Sequence, residues 1–129
     1  MSNSKAVQNY RDLEVYKAAL ELQQAVFAAS KAFPREEMYS LTDQARRSSR
    51  SIGANLAEAW AKRRYPAHFL SKLTDADGEL QETLHWLRTA RLCDYLTQDS
   101  SRTLADAALR VGGKLGAMIA THERFCISK

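Results

Sequence analysis

The chain has 129 residues, a length that suits one domain. Its composition, 45% hydrophobic and 26% charged with only 5 Gly and 2 Pro, is typical of a globular protein and argues against an all-β fold. No run approaches the ~18 consecutive apolar residues of a membrane span, and the amino terminus lacks the apolar core of a secretory signal. Two cysteines, which cannot form a zinc site alone, favour a reducing, cytoplasmic location.

Helical periodicity dominates the chain and predicts four helices joined by short loops. The predicted helices span about residues 12–33, 40–62, 66–92 and 101–122. The first is expected to begin with Asp12 as its N-cap and to be stopped by Pro34. This pattern predicts an all-α, antiparallel up-down-up-down four-helix bundle that forms a single domain over residues 1–129. Residues 1–9 and 124–129 are expected to be frayed.

The first predicted helix differs from the others because it has two apolar rows. One row, with Leu13, Tyr16, Leu20 and Phe27, is predicted to face the core. The other row consists of Val15, Leu22, Val26, Ala29 and Phe33. At 100° per residue it lies about 110° around the helix from the first row. Because a bundle helix needs only one buried row, the second row predicts a contact with another copy of the chain.

Each of the three later helices has one predicted core row. In the second helix the row is Leu41, Ala45, Ile52, Leu56 and Trp60; in the third it is Phe69, Leu73, Ala76, Leu80, Leu84 and Leu87; and in the fourth it is Leu104, Ala108, Val111, Leu115, Met118 and His122.

Small residues recur every four positions on the second and fourth helices. They include Gly53, Gly112 and Gly116. A glycine within a helix costs about 1 kcal/mol relative to alanine, so close approach of a neighbouring helix is the expected compensation, with local kinking as the alternative.

All of the excess positive charge lies in residues 42–64. That segment contains six basic and two acidic residues, whereas the rest of the chain has 13 of each. Such a concentration indicates a face that binds a polyanion or an acidic partner, the alternative being a solvated helix surface. The predicted nucleic-acid-binding residues are Arg46, Arg47, Arg50, Lys62, Arg63 and Arg64. No aromatic residue is expected to interleave with these arginines and stack on bases, so little sequence specificity is expected.

Two polar rows of complementary charge lie outside the predicted core. A basic row follows the second helix, and an acidic row that ends in Trp86 follows the third. Complementary rows suit head-to-tail contact between identical subunits, with an exposed tryptophan as an anchor. The alternative is that both rows are solvated and that Glu58 pairs with Lys62. The predicted oligomer interface comprises Val15, Leu22, Val26, Arg47, Ser51, Asn55, Glu58, Glu79, Glu82 and Trp86.

Two residue pairs have spacings known from catalytic or metal sites. Glu82 and His85 have the Glu-x-x-His spacing of di-iron bundles, but it occurs once and opposite the core row, so no metal site is predicted. Arg63 and His68 have the spacing of HEPN-type ribonucleases and could hold a phosphate and move a proton. Pro66 places that pair across a loop. We therefore predict no catalytic residue and no cofactor, with a HEPN-like ribonuclease as a third alternative.

Several motifs in order resemble those of one four-helix bundle family. They are DLEVYKA over residues 12–18, Phe33-Pro34 followed by Tyr39-Ser40-Leu41, QARRSSRSIGANLAE over residues 44–58, Phe69-Leu70, and GELQE over residues 78–82. The family includes proteins encoded in intervening sequences of bacterial 23S rRNA genes and the accessory variability proteins of diversity-generating retroelements. The resemblance covers about residues 10–96. The chain departs from the pattern at Ala59, where the family usually has Gly, and at Glu79, where it often has Ser.

The resemblance implies a pentameric ring of bundles without catalytic activity. Retroelement members of the family bind nucleic acid and a reverse transcriptase through basic surfaces, which makes Arg46, Arg47 and Arg50 the corresponding candidates here. The expected partners are therefore other copies of the chain in a homopentamer, RNA or DNA, and a reverse transcriptase if one is encoded nearby. We expect a non-enzymatic, weak and sequence-tolerant nucleic-acid binder. The alternative is a pure protein-interaction scaffold.

Overall fold

The computed structural model describes residues 7–127, and four long helices account for most of that range. They are α1 (Glu14–Ser30), α2 (Asp43–Ala61), α3 (Pro66–Leu92) and α4 (Gln98–Ala120). Short 3-10 helices cover Tyr10–Asp12, Arg35–Glu37 and His122–Phe125, and a π-helical segment covers Met38–Thr42. No strand occurs between residues 7 and 127. Helix α2 packs against α1 and α3, and α4 also contacts both of these helices, so the four form a bundle.

The core lies between the four helices and contains mainly aliphatic side chains. Ile52, Phe69, Leu73, Val111 and Leu115 have no exposed surface. The predicted core row of α2 is buried throughout. Those of α3 and α4 are buried as well, except for two half-buried side chains, Leu84 and His122.

Helix α1 turns a different face to the core from the one predicted. Val15, Leu22 and Val26, expected to contact another subunit, are only 4%, 0% and 1% exposed within the single chain. Of the row expected in the core, Leu13 is buried, Tyr16 and Phe27 are half-buried, and Leu20 is 37% exposed. The apolar arc of α1 is wide, and packing against both α2 and α4 determines which part of it is buried. The prediction that Val15, Leu22 and Val26 form a subunit interface is therefore wrong.

Helix α1 begins two residues later than predicted, because a separate 3-10 helix covers Tyr10–Asp12 and Leu13, rather than Asp12, is the N-cap residue of α1. The Asn9 side chain accepts a hydrogen bond from the Arg11 N–H at 2.8 Å and caps the short helix Tyr10–Asp12. The Asp12 carboxylate instead accepts from the backbone N–H groups of Gln8 and Asn9. These two hydrogen bonds lower the pKa of Asp12.

The other helix bounds depend on local capping groups. Helix α3 has both of its predicted bounds, and Pro66 occupies its first turn, where no N–H is needed. Helix α4 begins three residues early because the Thr97 hydroxyl accepts a hydrogen bond from the Ser100 N–H at 3.0 Å. Helix α2 begins at Asp43 rather than residue 40, since a π-helical segment precedes it.

The carboxyl-terminal residues are packed where fraying was expected. The Phe125 ring lies 6.3 Å from that of Phe69, and the Ile127 N–H donates to the Arg63 carbonyl at 3.1 Å. Asn9, in the other segment expected to fray, forms the cap described above. The remaining parts of those two predictions, residues 1–6 and 128–129, lie outside the described residues.

The connection between α1 and α2 is joined to the connection between α3 and α4. The Tyr95 hydroxyl donates to the Glu37 carboxylate at 2.9 Å, and the Ser40 hydroxyl donates to the same carboxylate at 2.7 Å. The hydrogen bond to Glu37 raises the pKa of Tyr95 to about 12. The Phe33 ring packs 5.8 Å from that of Tyr95. Both connections therefore meet at one end of the bundle.

The glycines of α2 and α4 differ in their surroundings. A Cβ atom at Gly53 would lie 3.4 Å from the Tyr16 ring of α1, and one at Gly112 would lie 3.5 Å from Leu80 of α3. A Cβ at Gly116 would meet nothing within 4 Å. Neighbouring helices therefore lie close to Gly53 and Gly112, at distances where a Cβ would make van der Waals contact, but not close to Gly116. No helix of the described range has the length and apolar character needed to cross a membrane.

The revised orientation of α1 predicts unequal costs for two leucine truncations in the same helix. Leu22→Ala should lower the free energy of unfolding by about 2–5 kcal/mol, because it leaves a cavity in the core. Leu20→Ala, at a 37% exposed position, should cost much less. Urea unfolding followed by circular dichroism measures both. Equal costs would contradict the burial of the Leu22 row.

Candidate functional site

The six predicted nucleic-acid-binding residues do not form one continuous surface. Arg47 reaches across to α3, whereas Arg46 and Arg50 lie against α1. Lys62, Arg63 and Arg64 lie together at the carboxyl end of α2. The neighbouring helices therefore give three different environments to residues that are close in sequence.

Arg47 is held by two carboxylates of the same chain. Its guanidinium forms ion pairs with Glu79, at 3.3 Å, and with Glu82. Trp86 donates its indole N–H to the Glu82 carboxylate at 3.0 Å. The basic row of α2 and the acidic row of α3 thus meet within one subunit, and the expected pairing of these rows between subunits is wrong. The side-chain hydroxyls of Ser48 and Thr83, 2.8 Å apart and buried, reinforce the same contact.

Protonation equilibria reflect this network. Hydrogen bonds from Arg47 and then Trp86 lower the pKa of Glu82, and the hydrogen bond to Glu82 raises the pKa of Arg47. Both side chains remain partly exposed, at 44% for Arg47 and 35% for Glu82. Solvent screening therefore limits the contribution of the ion pair to about 1 kcal/mol or less.

The flank of α2 that faces α1 carries a cluster of cations around one aromatic ring. Relative to the centre of the Phe27 ring, the Arg46 and Arg50 guanidinium carbons lie at 4.7 and 5.4 Å, and the Lys31 ammonium at 4.8 Å. Arg46 also donates its Nε–H to the hydroxyl of Ser30, which is buried, at 2.7 Å. We call Lys31, Arg46 and Arg50 with Phe27 the Phe27 cluster.

The Phe27 cluster contains no compensating carboxylate. Within residues 7–127, none of Lys31, Arg46 and Arg50 forms an ion pair. Arg47, one residue away, has two carboxylate partners. The positive charge predicted for α2 is thus neutralised on its α3 side and remains uncompensated on its α1 side.

At the carboxyl end of α2, two cations are exposed and one is fixed. Lys62 and Arg64 are exposed. Arg63 stacks on the Trp60 ring, with 3.7 Å between its guanidinium carbon and the ring centre, and donates to the Trp60 carbonyl. These contacts hold the Arg63 guanidinium against the bundle, whereas its two neighbours extend into solvent.

The other predicted interface residues on α2 also make contacts within the chain. Glu58 pairs with Lys72 of α3 at 2.7 Å rather than with Lys62, and the hydrogen bond from Lys72 lowers the pKa of Glu58. Asn55 and Ser51 are half-buried, and the Asn55 amide donates to the Ser51 carbonyl at 2.9 Å. Glu58 therefore links α2 to α3, and Asn55 makes a hydrogen bond within α2.

The two pairs with catalytic or metal-site spacing are placed as follows. Glu82 is occupied by Arg47 and Trp86, and the His85 ring lies 4.8 Å from that of Trp86. No group of three or more potential metal-ligating side chains occurs in the described range. Arg63 is held against Trp60, while the exposed His68 has its ring 5.7 Å from that of Tyr65.

Sequence reasoning missed Phe27 and Lys31 of the Phe27 cluster, and also Ser30, which holds Arg46. All belong to the end of α1 or follow it directly, and they meet Arg46 and Arg50 only because α1 packs against α2. The one local signal is the four-residue spacing of Phe27 and Lys31, which places the ammonium over the ring. The expectation that no aromatic residue accompanies the arginines is wrong for this reason.

Together these features define, for the described residues, a helical bundle whose α1–α2 side carries cations without ion-pair partners. A family model for 23S rRNA-intervening sequence proteins matches residues 11–117. The chain therefore belongs to the 23S rRNA-intervening sequence protein family.

The fold is similar to that of a solved structure from the S23 ribosomal protein family, a protein of unknown function from Bacteroides thetaiotaomicron VPI-5482. The two chains share 27% sequence identity with a TM-score of 0.74, and the match covers 82% of this chain and 95% of the other. No curated protein matches the sequence.

The lowered pKa of Glu82 predicts an acid-sensitive part of the stability. A carboxylate whose pKa is lower in the folded state stabilises the fold above its unfolded pKa, and this contribution is lost as the pH falls through the folded value. Glu82→Gln should therefore lower the melting temperature at neutral pH. Between about pH 6 and pH 3 the melting temperature of this variant should fall less than that of the wild type. Glu36→Gln, at an exposed carboxylate, is the control. Identical pH profiles for wild type and Glu82→Gln would contradict this role of Glu82.

Proposed function

We propose that this protein is a non-enzymatic nucleic-acid-binding protein whose binding face is centred on the α1–α2 side of the bundle. The observation that carries the proposal is the Phe27 cluster, in which three cations gather without a carboxylate. Phosphate groups are the natural counterions for such a surface. A role in binding rather than catalysis is supported by the separate contacts of the two candidate catalytic residues: Arg63 stacks on Trp60, and the His68 ring lies beside that of Tyr65.

Two separate basic regions, the Phe27 cluster and the carboxyl end of α2, are the proposed contact points for a strand of nucleic acid. Arg46 and Arg50 lie near the start of α2, and Lys62 follows Arg50 by about 18 Å at 1.5 Å per residue. Lys62 and Arg64 are exposed and provide the second point. Arginine and lysine contacts to phosphates position a strand without reading its bases, so we propose sequence-tolerant binding of RNA or DNA.

Self-association would strengthen this weak binding. A single subunit neutralises few phosphates, whereas copies linked in one assembly gain from effective concentration. We propose an antiparallel bundle, supported by the meeting of both helix connections at Glu37 and Tyr95, that assembles into a homopentameric ring. The outward face of α4 supports self-association, since Leu109 is 72% exposed and Gly113 and Gly116 have open space beside them.

The free thiols suit a cytoplasmic protein. Neither Cys93 nor Cys126 is in a disulfide. Because the cytoplasm keeps such thiols reduced, we propose that location for the protein.

Charge reversal on the α1–α2 side tests nucleic-acid binding. The double variant Arg46→Glu, Arg50→Glu should bind a single-stranded RNA with 5′-hydroxyl and 3′-hydroxyl ends at least tenfold more weakly, as measured by fluorescence anisotropy, because it replaces attraction to phosphates by repulsion. The control Arg88→Glu, Arg102→Glu changes two exposed arginines of α3 and α4 and lowers the net charge equally. Circular dichroism verifies that both variants are folded.

The same experiment distinguishes binding through this face from two alternatives. Equal losses in both double variants would indicate attraction to net charge alone and contradict a defined site. No binding by the wild type at low salt would favour a pure protein-interaction scaffold, with a reverse transcriptase as one partner to test. Cleavage of the RNA that stops in His68→Ala would instead favour a ribonuclease.

Replacing one exposed leucine tests self-association. Leu109→Glu should convert the oligomer to monomers, as measured by light scattering, because it buries a charge in the proposed contact. Leu92→Glu is the matched control, since Leu92 is also 72% exposed but lies at the end of α3. A monomeric wild type would contradict the ring, and an intact Leu109→Glu oligomer would exclude α4 from its interface.

A further inference from the structure

The cations of the Phe27 cluster gather around one aromatic ring instead of following a line along α2. All three charged groups lie within 5.4 Å of the centre of the same ring. They come from two elements, because Lys31 directly follows α1 and Arg46 and Arg50 belong to α2. A clustered arrangement suits a ligand whose negative charge is concentrated in one group.

Arg46 is positioned before any ligand binds. Its Nε–H donates to the Ser30 hydroxyl at 2.7 Å, and that hydroxyl donates to the Phe27 carbonyl at 2.8 Å. Ser30 is only 2% exposed, so this hydrogen-bond pair is fixed in the bundle. The two terminal nitrogens of Arg46 remain free, within residues 7–127, to donate to a ligand as a fork.

The cluster thus offers three separate donor groups. They are the Arg46 fork, the Arg50 guanidinium and the Lys31 ammonium, none of which is bound to a carboxylate in the described part of the chain. The electron-rich face of Phe27 offsets part of their mutual repulsion. An anion would offset more of it, and a dianion more than a monoanion, because the Coulomb attraction scales with the charge.

We propose that the Phe27 cluster binds the terminal phosphate group of a nucleic-acid strand. A terminal phosphate has a charge of about −1.5 to −2 at pH 7 and three free oxygens, whereas a backbone diester has one charge and two free oxygens. The cluster has as many donor groups as such a phosphate has free oxygens. This inference rests on the proposed nucleic-acid binding and adds to it a preference for strand ends.

A comparison of strand ends tests the proposal. One RNA sequence is prepared with a 5′-phosphate, with a 3′-phosphate, or with hydroxyl groups at both ends, and its affinity for the full chain is measured by fluorescence anisotropy. We expect at least one phosphorylated form to bind about tenfold more tightly than the hydroxyl form at pH 7.5. This gain should shrink at pH 5.5, because the second ionisation of a phosphate monoester lies near pH 6.

Single variants test whether the Phe27 cluster causes the higher affinity for phosphorylated RNA. Lys31→Gln, at an exposed position where folding is not at risk, and Arg46→Lys, which keeps the charge but loses the fork, should each reduce the gain several-fold. Lys114→Gln, on the exposed part of α4, should retain it. Millimolar inorganic phosphate should reduce the affinity of the phosphorylated RNA by a larger factor than that of the hydroxyl-ended RNA, because it competes directly for the terminal-phosphate contact.

The outcomes separate this inference from the proposed function. Equal binding of phosphorylated and hydroxyl strands overturns the terminal-phosphate site and leaves sequence-tolerant binding intact. A full gain in both Lys31→Gln and Arg46→Lys overturns the assignment to the Phe27 cluster. If none of the three RNAs binds, both proposals are overturned.

Discussion

The ion pairs of Arg47 with Glu79 and Glu82 join α2 to α3 and thereby determine which arginines of α2 remain free. Arg47 is neutralised, and Trp86 completes its network. Arg46, one residue earlier, lies on the other side of α2, where α1 supplies an aromatic ring and a hydroxyl but no carboxylate. Neighbouring helices thus divide one basic segment into a structural half and a half that is available for binding.

The same division explains why the α1 side of the bundle is suited to bind anions. A guanidinium that is already held by Ser30 and stacked on Phe27 loses less conformational entropy when it meets a phosphate than a free side chain does. In the proposed binding site, the buried Ser30 hydroxyl would thus act by positioning Arg46. On the α3 side, Glu58 and Lys72 form another ion pair between helices and add to the attachment of α2.

Helix α1 shows how tertiary contacts choose between two apolar faces. Its sequence contains apolar residues over a wide arc, and the row with Val15, Leu22 and Val26 became the buried one. A helix that packs against two neighbours buries more of its circumference than a helix at a single interface. An apolar arc of this width is therefore no evidence of a further subunit. The proposed contact between copies is therefore placed on other residues, on the exposed face of α4 around Leu109.

Local sequence signals determined much of the fold. The bounds of α3, the core rows of α2 and α4, and the close approach at Gly53 all followed from periodicity, proline placement and residue size, because these act within one helix or require only a nearby surface. The family could also be identified from the sequence, since its motifs lie in continuous segments. The buried face of α1, the pairing of Arg47 and the Phe27 cluster depend on which helices are neighbours. Only the tertiary structure decided them, because contacts between residues 16 or 32 positions apart have no periodic signature in the chain.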